Sequence, residues 1–213
     1  MHSPAVAPLP STQLREEFGE IDIYLFDQLL RGRLDGVRAV LDAGCGTGRN
    51  LVHLLRAGFD CHAVDRDPRS VARVRELAAR LAPGAGEERF QVAEVDALPF
   101  ADASMDAVIS SAVLHFAEGP EHFDRMLNEM WRVLRPGGLL FARLASSIGI
   151  ESRVRPVGNG RYRIPDGSER FLVDQAGLLT RTEALGGVLL DPIKTTIVQD
   201  LRAMTTWCLR KAG

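Results

Sequence analysis

A doubly wound α/β fold, with a mostly parallel sheet covered by helices on both faces, is the architecture this sequence predicts. Three observations carry it. Short apolar runs alternate with segments of helical period between residues 37 and 145, the pattern of strand–helix–strand units. The run Val40-Leu41-Asp42-Ala43 stops in Gly44-Cys45-Gly46-Thr47-Gly48, three glycines at every second position, just ahead of a helical segment. A second apolar run, Asp60 to Asp65, closes on an acid 17 residues after Gly48.

Taken in order, residues 1–12 are rich in Pro, Ala and Ser and predict a flexible tail, leaving 13–213 as one domain. Leu14 to Leu34 reads as helical, with Ile21, Tyr24, Leu25, Phe26, Leu29 and Leu30 on one face and Gly32 at its end. Residues 13–36 thus form an N-terminal helical cap. Strands are expected over 37–42, 60–65, 89–95, 105–110 and 138–145, with helices from about 48, from about 68 and over about 120–134. Asp67-Pro68 is a helix start, because Asp suits the cap and Pro the first turn. Residues 146–171 form an insertion, in which Arg161 to Phe171 reads as a hairpin turning at Pro165-Asp166-Gly167. A short helix over 173–184 and strands over 188–199 and 203–210 complete the chain.

Composition narrows the function. The chain has 213 residues, 46% hydrophobic and 25% charged, with a net charge of −2. It lacks the basic excess of a general nucleic-acid binder. Its three cysteines, Cys45, Cys61 and Cys208, are scattered without metal-ligand spacing. No run reaches the 18 or so apolar residues of a membrane span, and the first residues lack the pattern of a signal peptide. These features predict a cytoplasmic protein with no nucleic-acid or membrane partner and no metal.

Glycine admits a tight turn and lets a ligand lie against the backbone. A strand, a glycine turn and a helix N-terminus make a nucleotide-binding corner. Asp42 at the strand end suits a positively charged ligand and would repel a pyrophosphate. An acid about 20 residues on commonly accepts from ribose hydroxyls, which is the role expected of Asp65. Asp42, Asp65, Asp96 and Ser110 all fall at expected strand ends, on the rim where such sheets bind ligands.

Asp42 to Gly48 resembles the first motif of class I S-adenosylmethionine-dependent methyltransferases. The dinucleotide pattern G-x-G-x-x-G fits less well, since Asn50 and Leu51 stand where a glycine would be needed. The segment Phe90 to Phe100, with Leu98-Pro99-Phe100, and the turn Leu134-Arg135-Pro136-Gly137-Gly138 are similar to later markers of that family. The resemblance covers roughly residues 37–145. It implies a Rossmann-like, seven-stranded, mostly parallel sheet whose last strand runs antiparallel between its neighbours. It implies S-adenosylmethionine as cofactor, leaving as S-adenosylhomocysteine. By the resemblance Gly44, Gly46 and Gly48 surround its methionine part and Asp42 meets the amino group. Asp96 and the Ala97 N–H would read the adenine. The family's Asn/Asp-Pro-Pro-aromatic signature is replaced by Ser110-Ser111-Ala112-Val113, which counts against methylation of nucleic-acid or protein amines.

Methyl transfer from a sulfonium needs a nucleophile held in line and shielded from water, and a base only if the nucleophile must lose a proton. His115, just after the fourth strand, is the base expected from its position. Phe18 and Tyr24 are expected to help close the site. The insertion, carrying Arg153, Arg155, Arg161, Arg163 and Arg170, is expected to form a substrate lid, with Tyr24, Arg153 and Arg161 as its substrate contacts. The expected activity is methylation of a small-molecule acceptor, in a chain that could form a homodimer. The alternatives are a detoxifying enzyme for an inorganic or thiol acceptor, and a cofactor-binding protein without catalysis. A nicotinamide oxidoreductase is disfavoured by Asp42 and by the glycine spacing.

Overall fold

Central strands buried on both sides set the architecture, and a computed structural model describes residues 11–213 of it. Strands β1 (Ala39–Ala43), β2 (Asp60–Asp65), β3 (Phe90–Val92), β4 (Met105–Ser111) and β5 (Leu134–Ser146) are parallel. Every residue of β4 is buried, as a central strand covered on both faces requires. Successive side chains feed opposite layers. Leu41, Val108 and Leu140 pack on one side, and Val40, Ile109 and Phe141 on the other.

The insertion supplies a separate antiparallel sheet of β6 (Arg155–Gly158), β7 (Arg161–Arg163) and β8 (Glu169–Phe171). Its second hairpin turns through Pro165-Asp166-Gly167, as the sequence predicts, with Gly167 at φ +88°. Beyond it come β9 (Gly187–Leu189), β10 (Lys194–Val198) and β11 (Arg202–Lys211). The sheet order is β10-β11-β5-β4-β1-β2-β3, and β11 runs antiparallel to both β5 and β10. β9 also pairs with β11, opposite Leu209 to Lys211. The expected edge strand over 188–199 is therefore two strands on one edge, broken around Asp191-Pro192. Proline has no N–H for the ladder, so seven strand positions hold eight strands.

The helices α1 (Ser11–Phe18), α2 (Ile23–Leu30), α3 (Leu51–Arg56) and α4 (Pro68–Leu81) lie in chain order before β3. α5 (Pro120–Val133) precedes β5, and α6 (Gln175–Ala184) precedes β9. Leu25 of α2, Leu51 and Leu54 of α3, and Val71 and Val74 of α4 pack on one face of the sheet. Phe123, Met126, Leu127 and Met130 of α5, with Leu178 of α6, cover the other. Asp67 caps α4 by accepting from the Arg69 N–H, with Pro68 in the first turn, as expected.

The N-terminal region differs from the expectation in two ways. Ser11 and Thr12, assigned to the tail, lie in α1, and residues 1–10 of that tail lie outside the described residues. The single helical stretch is also divided at Gly19 (φ +63°), where a Cβ would stand 2.7 Å from Val52 Cγ2. That close approach lets the chain turn into α2, whose cap is Asp22.

Candidate active site

Two cavities meet at the carboxyl ends of the parallel strands. The larger encloses about 460 Å³ and is walled by the glycine turn Gly44 to Thr47, by Asp65 and by Glu94. The turn is fixed from below, where the N–H groups of Gly44 and Cys45 both donate to the carbonyl of Val64 at 2.9 Å. Asp65 braces it from the side. One carboxylate oxygen accepts from the Gly46 N–H at 2.8 Å and the other from the Asp67 N–H at 2.9 Å.

The three glycines differ in what demands them. Gly44 (φ +82°) would place a Cβ 2.4 Å from Val113 Cγ2. Gly46 (φ +52°) faces open space, which is the cavity itself. Gly48 (φ +78°) lies outside the cavity lining, and its missing Cβ lets Val74 and Leu77 of α4 approach to 3.0 Å. Gly44→Ala therefore combines backbone strain with a clash against a cavity wall. It should lower stability by about 1–3 kcal/mol, read from a denaturant midpoint. An unchanged midpoint would show that the turn can relax away from Val113.

Asp42 of β1 is 1% exposed and lines neither cavity, contrary to the expectation of a direct cofactor contact, and neither of its carboxylate oxygens has a hydrogen-bond partner among the described residues. Burial pushes its carboxyl up to about 7, a rise moderated by the Arg49 guanidinium and reinforced by Asp65.

Several expected contacts fall elsewhere. β3 ends at Val92 and the chain then turns, with the Ala97 N–H donating to the Glu94 carbonyl. Glu94 and Val95 thereby reach the cavity wall in place of Asp96 and Ala97. The Asp96 carboxylate instead meets Arg125 at 3.3 Å. Ser110 is fully buried with an unpartnered hydroxyl and is outside the lining, whereas its neighbour Ser111 lines the cavity. Phe18 packs on Phe26 and His53 and lines neither cavity.

Sequence reasoning missed the group that ties these elements together. Asp22 caps α2 by accepting from the Tyr24 N–H, and its own N–H donates to Asn50. Its fully buried carboxylate accepts from Ser111 Oγ at 2.9 Å and from Arg143 at 3.1 Å, with Arg49 at 3.4 Å. Arg143 in turn stacks under the Tyr24 ring, and the Tyr24 hydroxyl pairs with Thr196. Tyr24 thus positions Arg143 and does not line either cavity. A lone Arg in the apolar run Leu139 to Ala145 was the signal that could have marked Arg143.

The smaller cavity, about 230 Å³, is bordered by His115, Arg143, Arg170 and Arg202 and shares Ala112 with the larger one. Ala112 is held at φ +65°, a conformation that costs a non-glycine residue about 1–3 kcal/mol and clusters at functional sites. Phe116 lines the larger cavity while Arg170, which lines the smaller, stacks on its ring at 4.9 Å. Arg153 and Arg161 border neither cavity, and Arg153 pairs with Asp200 at the surface.

His115 is inside the smaller cavity, but its geometry is not that of a base. Its Nδ1 accepts from the Ala145 backbone N–H at 3.1 Å. A backbone N–H can only donate, so the imidazole proton sits on Nε2. Burial, followed by the charges of Arg170 and Arg143, pushes the imidazole down to about 4. The ring is therefore neutral near pH 7 and presents a donor, contrary to the expected base.

Among the described residues no cluster of His, Cys, Asp and Glu could hold a metal, and no helix is long and apolar enough to cross a membrane. The family described as "Methyltransferase domain" matches residues 41–142. An uncharacterized methyltransferase of Bacillus subtilis is 34% identical over 116 residues, covering 54% of this chain and 44% of that protein. A thiol S-methyltransferase of Mus musculus is 38% identical over 127 residues, covering 55% and 47%. The match thus spans less than half the length of these relatives. A solved structure of the 1,6-didemethyltoxoflavin-N1-methyltransferase of Burkholderia thailandensis, with S-adenosylhomocysteine bound, has a TM-score of 0.65 at 21% identity, covering 99% of this chain and 95% of that one. The motifs, the strand order and these matches agree: residues 41–142 match a methyltransferase domain, and together they support a class I S-adenosylmethionine-dependent methyltransferase.

Proposed function

We propose that this chain transfers a methyl group from S-adenosylmethionine, bound in the larger cavity, to a small-molecule acceptor bound in the smaller one. The observation that carries the reading is the junction of the two cavities at Ala112, beside the glycine turn. The residues present fit the cofactor. Gly46 leaves open space for a ligand to lie on the backbone, and the unpartnered Asp42 carboxylate suits a cationic amino acid end. In this reading Asp65 meets the ribose and Glu94 with Val95 the adenine; that all three line the larger cavity supports it. When bound, the sulfonium supplies an already activated methyl group.

The chain's own work is positional. Phe116 of the larger cavity and Arg170 of the smaller one stack on each other, and Arg143 is fixed by Asp22. Because His115 offers a proton and not a lone pair, the reading favours an acceptor that already carries a nucleophilic lone pair at neutral pH. A thiol, the acceptor named for the mouse relative, would meet this requirement only as its thiolate.

Calorimetric titration with S-adenosylmethionine, S-adenosylhomocysteine and NADH tests the cofactor. Micromolar binding of the two sulfur ligands without NADH is the expected result, and Asp65→Ala should weaken it by about 1–3 kcal/mol. Binding of NADH alone, or of none of the three, would overturn the reading.

A further inference from the structure

Resting on the two-cavity reading above, we propose that the smaller cavity is a carboxylate-binding subsite. The acceptor is then a small organic acid, held by its anion between Arg170 and Arg202 with the Nε2–H of His115 as a further donor. The charge balance of the cavity points there. Arg143, Arg170 and Arg202 face a single acid, Asp166, whose carboxylate already accepts from the Ser168 N–H at 2.9 Å and from its hydroxyl at 2.6 Å. Arg143 is paired with Asp22. Neither Arg170 nor Arg202 has an ion-pair partner among the described residues; the only hydrogen bond of Arg170 runs to the Glu169 carbonyl. Guanidinium groups do not shed their proton, so Arg170 and Arg202 together outweigh the one carboxylate, Asp166, that acts on both, and the cavity keeps a net positive charge. Planar carboxylates match the fork of donors that such groups present.

The remaining wall selects among anions. Ile164, Val198 and Met204 are apolar, which suits an acid with an organic body more than a bare inorganic ion. The volume of about 230 Å³ falls below the roughly 300–1,000 Å³ of pockets for drug-sized ligands, so the acid is small. His115 is 6% exposed, and its Nε2 has no hydrogen-bond partner among the described residues. His115 lines the cavity, so its Nε2–H is a donor that a carboxylate oxygen there can accept from. An ionised carboxylate also has the free lone pair that a site with no evident base requires.

The test is calorimetry on the full chain saturated with S-adenosylhomocysteine, using acetate, benzoate, benzamide, methyl benzoate and inorganic phosphate as probes. The expected result is that at least one carboxylate binds while benzamide and methyl benzoate bind about tenfold more weakly or not at all, a difference of about 1.4 kcal/mol. Arg170→Gln should lose about tenfold in carboxylate affinity with S-adenosylhomocysteine affinity unchanged, and the surface control Arg153→Gln should change neither. Equal binding of the ester, an unaltered affinity in Arg170→Gln, or no carboxylate binding below about 10 mM would overturn the assignment. Tighter binding of phosphate than of any carboxylate would overturn it too. Failure of the parent chain to bind S-adenosylhomocysteine would instead overturn the cofactor reading beneath it.

Discussion

Asp22→Ala is expected to destabilise the protein by about 3–5 kcal/mol, the scale for removing one partner of a buried ion pair. The Asp22 carboxylate is fully buried and accepts from a serine hydroxyl and an arginine that belong to different strands. Its loss strands the Arg143 guanidinium, which is only 20% exposed and already has an unpartnered Nε. Arg49, at 38% exposed, contributes less because solvent screens it. The cap on α2 is lost as well, adding about 1 kcal/mol. Denaturant unfolding measures the total. A double variant, Asp22→Ala with Arg143→Met, should recover part of the loss, because the stranded charge goes with the second change. Additive losses in the two variants would refute the coupling. The functional consequence follows from position: without Asp22, neither the N-terminal cap nor Arg143 is held against the rim that both cavities share.

Asp22 shows why the site was less legible in the sequence than the fold. The fold rests on local patterns, namely apolar periodicity, a glycine turn after β1 and the Pro136-Gly137 signal, which lies not before β5, as expected, but within it where its register with β4 shifts, and each is read within a dozen residues. The pairing of Asp22 with Arg143 spans 121 residues, and nothing local announces it. Asp96 failed for a different reason. The alternation of Phe90 to Asp96 has the period of a strand, but the register with β2 ends at Val92 and the last hydrogen bond to that strand is from the Ala93 N–H to the Asp65 carbonyl. Once the ladder stops, alternation no longer fixes which side chain faces the rim, and Glu94 takes the wall. The arginines of the insertion are a cationic surplus in the sequence, yet which of them reach the cavity depends on how the β6–β8 sheet packs on the core. Arg170 faces inward beside Phe116 while Arg163 pairs with Glu169 at the surface. The base assignment rested on the chain position of His115, which is correct; its tautomer is set by the Ala145 N–H on a neighbouring strand.

Asp42→Asn is expected to stabilise the unliganded protein at pH 8 and to weaken its hold on a cationic ligand. In the folded chain the Asp42 carboxyl titrates at about 7, raised by burial, against an ordinary value near 3.9 in an unfolded chain. Between those values the folded state holds a proton that the unfolded state has lost. Stability therefore falls as pH rises through that window, and levels off above pH 7. At about 1.36 kcal/mol per unit, the ionised form carries a penalty of roughly 4 kcal/mol at pH 8. The asparagine variant avoids it, so its advantage should be a few kcal/mol at pH 8 and should vanish near pH 4. A ligand with a positive charge beside Asp42 reverses the balance by favouring the carboxylate. S-adenosylmethionine binding at pH 6 should then release much of a proton, measured by calorimetry in buffers of different ionisation enthalpy. The variant should release none and bind more weakly by about 1–3 kcal/mol. Proton release that persists in Asp42→Asn would assign the titration to another group. Equal affinity in parent and variant would remove Asp42 from the cofactor site. The expected combination, greater stability with poorer binding, is that of a strand end holding a buried charge for a ligand and not for the fold.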